Sequence, residues 1–468
     1  MRLARVAVIA AVAALTLATT ACSSSASSPG SSSRGADAKT ISLSIATNAV
    51  VGGKNDQEAL WITKYVIPTF VKQMKAKGVT ATVKLQPSGV DDEKYKAKLA
   101  LDLKTRSGAD IIALDGIWVG EFAQAGYILP LDKVVGPTAA QWEGWSQIPK
   151  TVQANTSFNG KAYGIPTGTD GRVLYYNKKL FAQAGLPATW APKSWADILA
   201  AGRALKKLAG VTPLQVNAGT AMGEATSMQG VLPLLAGTGA QIYSGGKWAG
   251  NTQQVRDVLG FYKDINAGGL GNAAFQQAAK GRDESFAAFA AGKVGVLLEG
   301  DYFWRSVINP KGGVAPMANR DTDVGYAMIP SQKPGSGLRG QDFVSMSGGS
   351  GYFLSPNTKY PQQAWELLTL MSSAPALKAL LNGQARITDR TDVNKEVLSG
   401  DPLLSLISEK VLPLTAYRPG EAVYPQVSAA LQQATADIVS GKSVDDAAKA
   451  YQQAVTTAVG ADHVSSAP

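Results

Sequence analysis

Residues 79–115 read VTATVKLQPSGVDDEKYKAKLALDLKTRSGADIIALD, and this stretch decides the fold. Residues 79–86 alternate apolar and polar side chains like a strand, residues 92–106 predict a helix, and residues 110–114 form the short apolar run of a buried strand. Strands that alternate with helices are typical of an α/β layered domain with a largely parallel sheet.

The same rhythm extends in both directions from this stretch. A strand at 40–46 and a helix at 56–77 precede it, and strands at 163–166, 173–177 and 294–298 with a helix at 194–208 follow it. We therefore predict two α/β lobes. The last third is predicted to be mostly helical, with helices at 361–373, 374–381, 424–439 and 444–458, the last capped by Ser443.

The N-terminus has the features of an export signal. Arg2 and Arg5 precede an apolar run at 6–18 and the small residues before Cys22, and a Ser-rich stretch follows. We predict a signal peptide at 1–21 and a tether at 22–39, anchored by lipid on Cys22 to the outer face of the cell membrane. Plain secretion stays open, because Thr19 occupies the position where lipoboxes usually carry leucine.

Composition excludes several classes of site. Cys22 is the only cysteine and His463 the only histidine of 468 residues, so disulfides, thiolate metal sites and His-assisted serine catalysis are not expected. No cofactor and no metal are predicted. The net charge is +10, but the basic residues are scattered over helical stretches rather than gathered between aromatics, so nucleic-acid binding is not expected either.

Several segments in order resemble one protein family. They are GADIIALD (108–115), EFAQAGYILPL (121–131), KAYGIP (161–166), LYYNKKLF (174–181), PKSW (192–195), GDYFW (300–304) and GGSGY (348–352). Together they resemble the extracellular solute-binding proteins of family 1, the sugar receptors of ABC importers. Within that family, Asp115, the stretch PTGTD ending at Asp170, and Arg418 in YRP are most similar to the trehalose and maltose type.

The resemblance implies an α/β, two-lobed, periplasmic-binding-protein-like clamp with hinge crossings between the lobes. Lobe 1 is expected at 40–168 plus 350–405 and lobe 2 at 169–349 plus 406–468. The implied partners are a small-molecule sugar and the membrane subunits of an ABC permease, and a monomer is expected.

Three charged residues are the first candidates for binding sugar hydroxyls. Asp115 ends a strand, at the sheet edge where ligands of open α/β folds bind, although it could instead cap the next helix. Asp170 follows the predicted crossing between lobes and could be a turn aspartate. Arg418 offers a planar fork for two hydroxyls, and its alternative is an ordinary surface arginine.

The remaining candidates also have structural alternatives. Tyr302 aligns with a stacking aromatic of the family, while Trp304 and Trp118 could equally pack in a core. Gly348 and Gly349 suit close approach of the backbone to a ligand, or simply hinge freedom. The resemblance adds Asn48 and Glu224, which could instead only face water.

Two other functions remain open at this point. A lipid-anchored glycosidase would use Asp115 and Asp170 as an acid and base pair. The same fold could also bind a polyamine or another non-sugar solute, although a cleft arginine argues against a cation. Neither fits the length of the resemblance as well as a transport receptor without catalysis.

Overall fold

The computed structural model describes residues 33–466, and its strands form two main sheets and three smaller ones. The strands, in chain order, are β1 Thr40–Thr47, β2 Thr80–Pro87, β3 Ile111–Asp115, β4 Ser157–Phe158, β5 Lys161–Ala162, β6 Gly164–Pro166, β7 Arg172–Asn177, β8 Thr212–Gln215, β9 Tyr243–Ser244, β10 Lys247–Ala249, β11 Val294–Gly300, β12 Val324–Ala327, β13 Ile329–Pro330, β14 Phe343–Ser347, β15 Ser350–Leu354, β16 Thr415–Tyr417 and β17 Val464–Ser465.

Helices cover the sheets. The α-helices are α1 Asp56–Trp61, α2 Ile67–Ala76, α3 Asp92–Lys104, α4 Val119–Gln124, α5 Leu131–Val135, α6 Lys150–Gln153, α7 Lys178–Gln183, α8 Trp195–Leu205, α9 Glu224–Thr226, α10 Leu232–Gly237, α11 Gln253–Ala267, α12 Ala273–Gln277, α13 Gly281–Ala290, α14 Arg320–Asp323, α15 Pro361–Met371, α16 Ala374–Leu381, α17 Thr391–Val397, α18 Pro402–Leu406, α19 Tyr424–Val439 and α20 Val444–Val459.

The first sheet has the strand order β2-β1-β3-β15-β6. β1 and β2 are parallel, with Ile41 opposite Ala81, and β3 is parallel to β1 on its other side. β15 runs antiparallel to β3 and β6. The stretch 79–115 therefore forms the predicted strand, helix and strand.

The second sheet has the strand order β12-β7-β11-β8 and is buried on both faces. In β7, Leu174 and Tyr176 point into one apolar core, while Val173 and Tyr175 point into another that continues to the first sheet. Strands covered on both faces are apolar at every position rather than alternating, which explains the run at 173–176.

Local sequence determines where most helices begin. Ser443 accepts a hydrogen bond from the backbone N–H of Asp446 and Ser194 accepts one from Asp197, so both hydroxyls cap the following helix. The predicted helix at 56–77 differs, because a π-helical turn at Ile62–Val66 separates α1 from α2. Another π-helical turn, Phe303–Val307, follows β11.

Candidate functional site

Strand register brings three predicted site segments together at one sheet edge. In the first sheet Ser350 lies opposite Asp115, so the segment 348–349 passes beside the end of β3. Next to the second sheet β14 and β16 are parallel with Ser347 opposite Tyr417, so Gly348 and Arg418 leave their strands side by side. The carboxyl ends of these strands thus gather the candidate residues between the lobes.

Two chain crossings between the lobes are bonded to one another at Asp170. The Asp170 carboxylate accepts the backbone N–H of Gly348 at 2.7 Å and pairs with Arg172, while its carbonyl accepts the Ser347 hydroxyl. Thr167 N–H donates to the carbonyl of Ser350 at 3.1 Å. Asp170 therefore joins the segment 167–171 to the segment 347–350.

The pKa of Asp170 is set by opposing effects. Burial acts to raise it, but Arg172, the N–H of Gly348 and Arg418 together hold the carboxyl pKa below its ordinary value. Asp170 stays ionised in the folded protein at any pH near neutral.

Asp115, Arg418 and Glu224 form a chain of charges across the lobes. The Asp115 Oδ1 lies 3.8 Å from Arg418 Nη2, and Arg418 Nη1 donates to Glu224 Oε1 at 3.2 Å. Glu224 also accepts the hydroxyls of Tyr424 and Ser428, each at 2.6 Å. Arg418 is thereby held in place from the second lobe with its guanidinium turned towards the first.

The Asp115 carboxylate caps the next helical turn and is still partly exposed. It accepts the N–H of Ile117 at 3.1 Å, as a cap of the next helical turn, and its side chain is still 41% exposed. Burial raises the pKa of Asp115, and Arg418 partly offsets that rise. A second carboxylate oxygen remains available to a ligand.

A cavity of about 400 Å³ lies at the crossings, against both lobes. Asp170, Gly348 and Gly349 form its hinge side. Further lining residues come from α1 and from Asn55 just before it, from the segment 380–388, and from Arg305 after β11. Glu58, Arg305 and Arg386 also line the cavity and were not predicted. Glu58 and Arg386 have no short motif around them, and Arg305 directly follows the motif GDYFW (300–304), in which the aromatic residues carried the prediction.

The two glycines at the crossing have different surroundings. A Cβ on Gly349 would lie 2.3 Å from the carbonyl oxygen of Gly168, so only glycine lets the two crossings approach so closely. At Gly348 a Cβ would lie 3.7 Å from Asp170 Oδ1 and from Arg418 Nη2, which ordinary packing allows.

The aromatic candidates divide between the surface and the core. Tyr302 is 42% exposed, and the guanidinium of Arg305 lies 5.8 Å from its ring centre. Trp304 is buried in the core, where its indole donates to Asp401 and Arg320 stacks on its ring. Trp118 is buried against Tyr95. For both tryptophans the structure favours the core alternative.

Asn48 joins two loops of the first lobe. Its amide donates to the carbonyl of Val90 at 3.0 Å and to Asp92 at 2.9 Å, and its oxygen accepts the N–H of Val90. This side chain is 7% exposed and already satisfied within the protein. Its position at the end of β1 was predicted, but these partners indicate loop ordering rather than an open ligand contact.

Some predicted features lie outside the described residues. The signal peptide and Cys22 fall within residues 1–32, which the structure does not describe. In residues 33–466, no helix has the length and apolar character needed to cross a membrane, and no group of three or more His, Cys, Asp or Glu side chains could hold a metal ion.

Solved structures share this architecture. A solute-binding protein of an ABC transporter from Thermotoga lettingae, bound with alpha-D-tagatose, has a TM-score of 0.62 at 24% identity over 90% of this chain and 100% of that one. The sugar-binding protein MalE from Xanthomonas citri has a TM-score of 0.71 at 18% identity, over 89% and 97%. A cyclic alpha-maltosyl-1,6-maltose binding protein from Arthrobacter globiformis has 0.68 at 20%, over 90% and 99%. The two-lobed fold is therefore that of ABC sugar-binding proteins.

Sequence comparison gives the family. A putative binding protein from Brucella abortus is 31% identical over 113 residues, which are 24% of this chain, and the match spans 26% of that relative's length. The family described as bacterial extracellular solute-binding protein matches residues 55–378. Its members are binding proteins found outside the cytoplasm. Because the match runs from the start of α1 into α16 and includes every strand of the two main sheets except β1, this chain belongs to the bacterial extracellular solute-binding proteins.

Proposed function

We propose that this protein captures a disaccharide or oligosaccharide of the trehalose or maltose type in its inter-lobe cavity and delivers it to an ABC permease. The observation that carries the proposal is the position of the cavity, at the crossings and against both lobes. A ligand held there touches both halves, so closure of the lobes is favoured by the contacts that the ligand makes with each.

The size and chemistry of the cavity suit a sugar. Its volume of about 400 Å³ falls within the roughly 300–1,000 Å³ of small-molecule sites. Sugar hydroxyls bind best to charged donors and acceptors, because charge-assisted hydrogen bonds are about twice as strong as neutral ones. Solved proteins of similar fold bind tagatose or cyclic maltosyl-maltose.

Individual residues receive roles in this proposal. Asp115 and Arg418 do not line the cavity itself but lie beside Gly348, which does; they bind hydroxyls of a ligand that extends past Gly348. Glu224 positions Arg418, and Asp170 holds the crossings at the edge of the site. Tyr302 stacks on a sugar face with its exposed ring. Gly348 and Gly349 bring the backbone of the crossing close to the ligand.

The cellular setting also belongs to the proposal. Lobe 1 comprises 40–168 and 350–405, and lobe 2 comprises 169–349 and 406–468. A lipid on Cys22 holds the monomeric protein at the outer face of the membrane, where both lobes can dock on the permease. No cofactor takes part.

Two observations favour this function over the alternatives. Asp170 is bonded to Arg172 and Gly348 in the crossing, which suits a structural carboxylate better than one half of a hydrolytic pair. The arginines 305, 386 and 418 near the site oppose a polyamine. Incubation with trehalose or maltose tests hydrolysis directly, and release of glucose would contradict a receptor without catalysis.

A thermal-shift panel of neutral sugars tests binding. A ligand at a hundred times its Kd stabilises the folded state by about 2.7 kcal/mol, which raises the melting temperature by several degrees or less in a chain of this size. We expect Asp115→Ala and Arg418→Ala each to remove most of that shift while the unliganded melting temperature changes by a few degrees at most. Asp462→Ala, at an exposed carboxylate near the C-terminus, is the matched control and should keep the full shift. Stabilisation by spermidine and by no sugar would overturn the proposal.

A further inference from the structure

Five charged side chains line the inter-lobe cavity, and they differ in how far the protein itself satisfies them. Three are carboxylates and two are arginines: Asp56, Glu58, Asp170, Arg305 and Arg386. An ion or a charged ligand group is selected by whichever of these charges lacks a partner within the protein, because a partnered charge gains little from a new contact.

Each of the three carboxylates already accepts hydrogen bonds. Asp56 accepts the backbone N–H of Gly52, and Glu58 accepts the hydroxyls of Thr47 and Tyr352. Asp170 accepts the backbone N–H of Gly348 and pairs with Arg172. Each of these carboxylates is therefore partly satisfied within the protein, through one of its two oxygens.

The two arginines differ from each other. Arg305 Nε donates to Asp301 Oδ2 at 2.9 Å and its Nη1 donates to Ser306. Among residues 33–466, Arg386 has no hydrogen-bond or ion-pair partner at all, although it lines the cavity. A guanidinium has five N–H donors in a fixed fork that matches the oxygens of a carboxylate or phosphate.

The two arginines also come from opposite sides of the cavity. Arg386 follows α16, which is tied to α1 in the first lobe through Gln57 and the carbonyl of Leu380. Arg305 lies in the π-helical turn that follows β11 of the second sheet. Burial and the charge of Arg305 lower the pKa of Arg386, while the charges of Asp301, Glu58 and Asp170 act to raise it.

We propose that the bound sugar carries an anionic substituent, a carboxylate or a phosphate, which Arg386 binds from the first lobe and Arg305 supports from the second. This inference rests on the proposed function and narrows its substrate class. An anion that accepts hydrogen bonds from both arginines contacts both lobes, so it favours the closed state as well as adding charge-assisted hydrogen bonds.

Calorimetric titration of the full mature chain with matched sugar pairs tests the proposal. The pairs are trehalose with trehalose 6-phosphate, and galactobiose with digalacturonate, so that phosphate and carboxylate are tried separately against the same neutral frame. We expect the charged member of at least one pair to bind tenfold or more tightly, with a preference that weakens as salt is raised.

Variants of Arg386 assign the preference to this residue. Arg386→Gln should reduce the ratio of the Kd for the neutral sugar to the Kd for the charged sugar from ten or more to about one. Arg386→Lys, which keeps the charge but loses the planar fork, should keep part of the ratio. Arg203→Gln, at an exposed arginine of α8, should keep all of it.

Three results would overturn the inference. Equal affinity for both members of each pair would show that the protein does not recognise an anionic substituent, and the proposed function as a sugar receptor would still hold. If Arg386→Gln kept the full preference for the charged sugar, the anion would bind at a site other than Arg386. Sodium phosphate alone binding as tightly as the sugar phosphate would show a simple anion site, whereas failure of every sugar, neutral or charged, would refute the proposed function itself.

Discussion

Asp389→Asn should make the unliganded protein more stable at alkaline pH. Asp389 directly follows the cavity residues Ile387 and Thr388, is 1% exposed, and neither of its carboxylate oxygens has a hydrogen-bond partner among the described residues. Burial raises the pKa of Asp389 to about 7, with Arg390 lowering it and Asp392 raising it to a smaller extent. The folded protein therefore holds a proton that the unfolded chain releases near pH 4.

The sign and size of the effect follow from this difference. Between about pH 4 and pH 7 the native state binds more protons than the unfolded state, so stability falls as pH rises and stays low above pH 7. A difference of about three pKa units at 1.36 kcal/mol each gives a penalty of about 4 kcal/mol at pH 8 and about 1 kcal/mol at pH 4.5. Asparagine cannot ionise and resembles the protonated acid in shape and polarity.

Urea unfolding at pH 4.5, 6 and 8 measures the prediction. The free energy of unfolding of Asp389→Asn should exceed that of the wild type by about 4 kcal/mol at pH 8, with a gap about 3 kcal/mol smaller at pH 4.5. Asp392→Asn is the control of opposite sign: hydrogen bonds from Arg390 lower the pKa of Asp392, so its contribution is present above pH 4 and lost in acid. A gap for Asp389→Asn that does not change with pH would refute an ionising, unpaired carboxyl at this position.

Two further predictions concern stability. Gly349→Ala should destabilise the protein by about 1–3 kcal/mol, because the new Cβ would lie 2.3 Å from the Gly168 carbonyl oxygen. In the control Gly168→Ala the nearest neighbour of the new Cβ would be 4.0 Å away, so stability should change by less than about 0.5 kcal/mol. Equal effects of the two substitutions in urea unfolding would contradict a close crossing. Glu299→Gln should cost about 2–4 kcal/mol, because Glu299 is fully buried and Arg282, 30% exposed, would lose the ion pair and one of its two bonds, which are 2.7 and 2.9 Å long. The comparison is Asp321, which is 70% exposed where it pairs with Arg320; Asp321→Asn should cost under about 1 kcal/mol.

Local sequence signals predicted the fold more reliably than the site. Helices 374–381 and 424–439 were predicted with the bounds that the structure gives them, because proline near the first turn and a regular apolar stripe mark them. The π-helical turn at Ile62–Val66 left no such signal, since its residues continue the same apolar face.

Site residues were predictable where a strand ends and unpredictable where a loop folds back. Asp115 and Arg418 each follow a strand, so their meeting followed from register once the sheets formed. Arg386 reaches the cavity through packing of α16 on α1, a contact between residues more than three hundred positions apart. Trp304 carried an aromatic signal that fits core and cleft equally, and only its burial decided between them.

The loop after β16 rests directly on the first lobe, and this has a mechanical consequence. Gly120 of α4 and Gly420 are in such close backbone contact that a Cβ on Gly120 would lie 2.0 Å from the Gly420 carbonyl, and Gln124 bonds to Glu421 at 2.9 Å beside it. Arg418 lies two residues before this contact. In the proposed function Arg418 binds the sugar, so a change in the angle between the lobes that disturbs this contact would also weaken binding of the sugar.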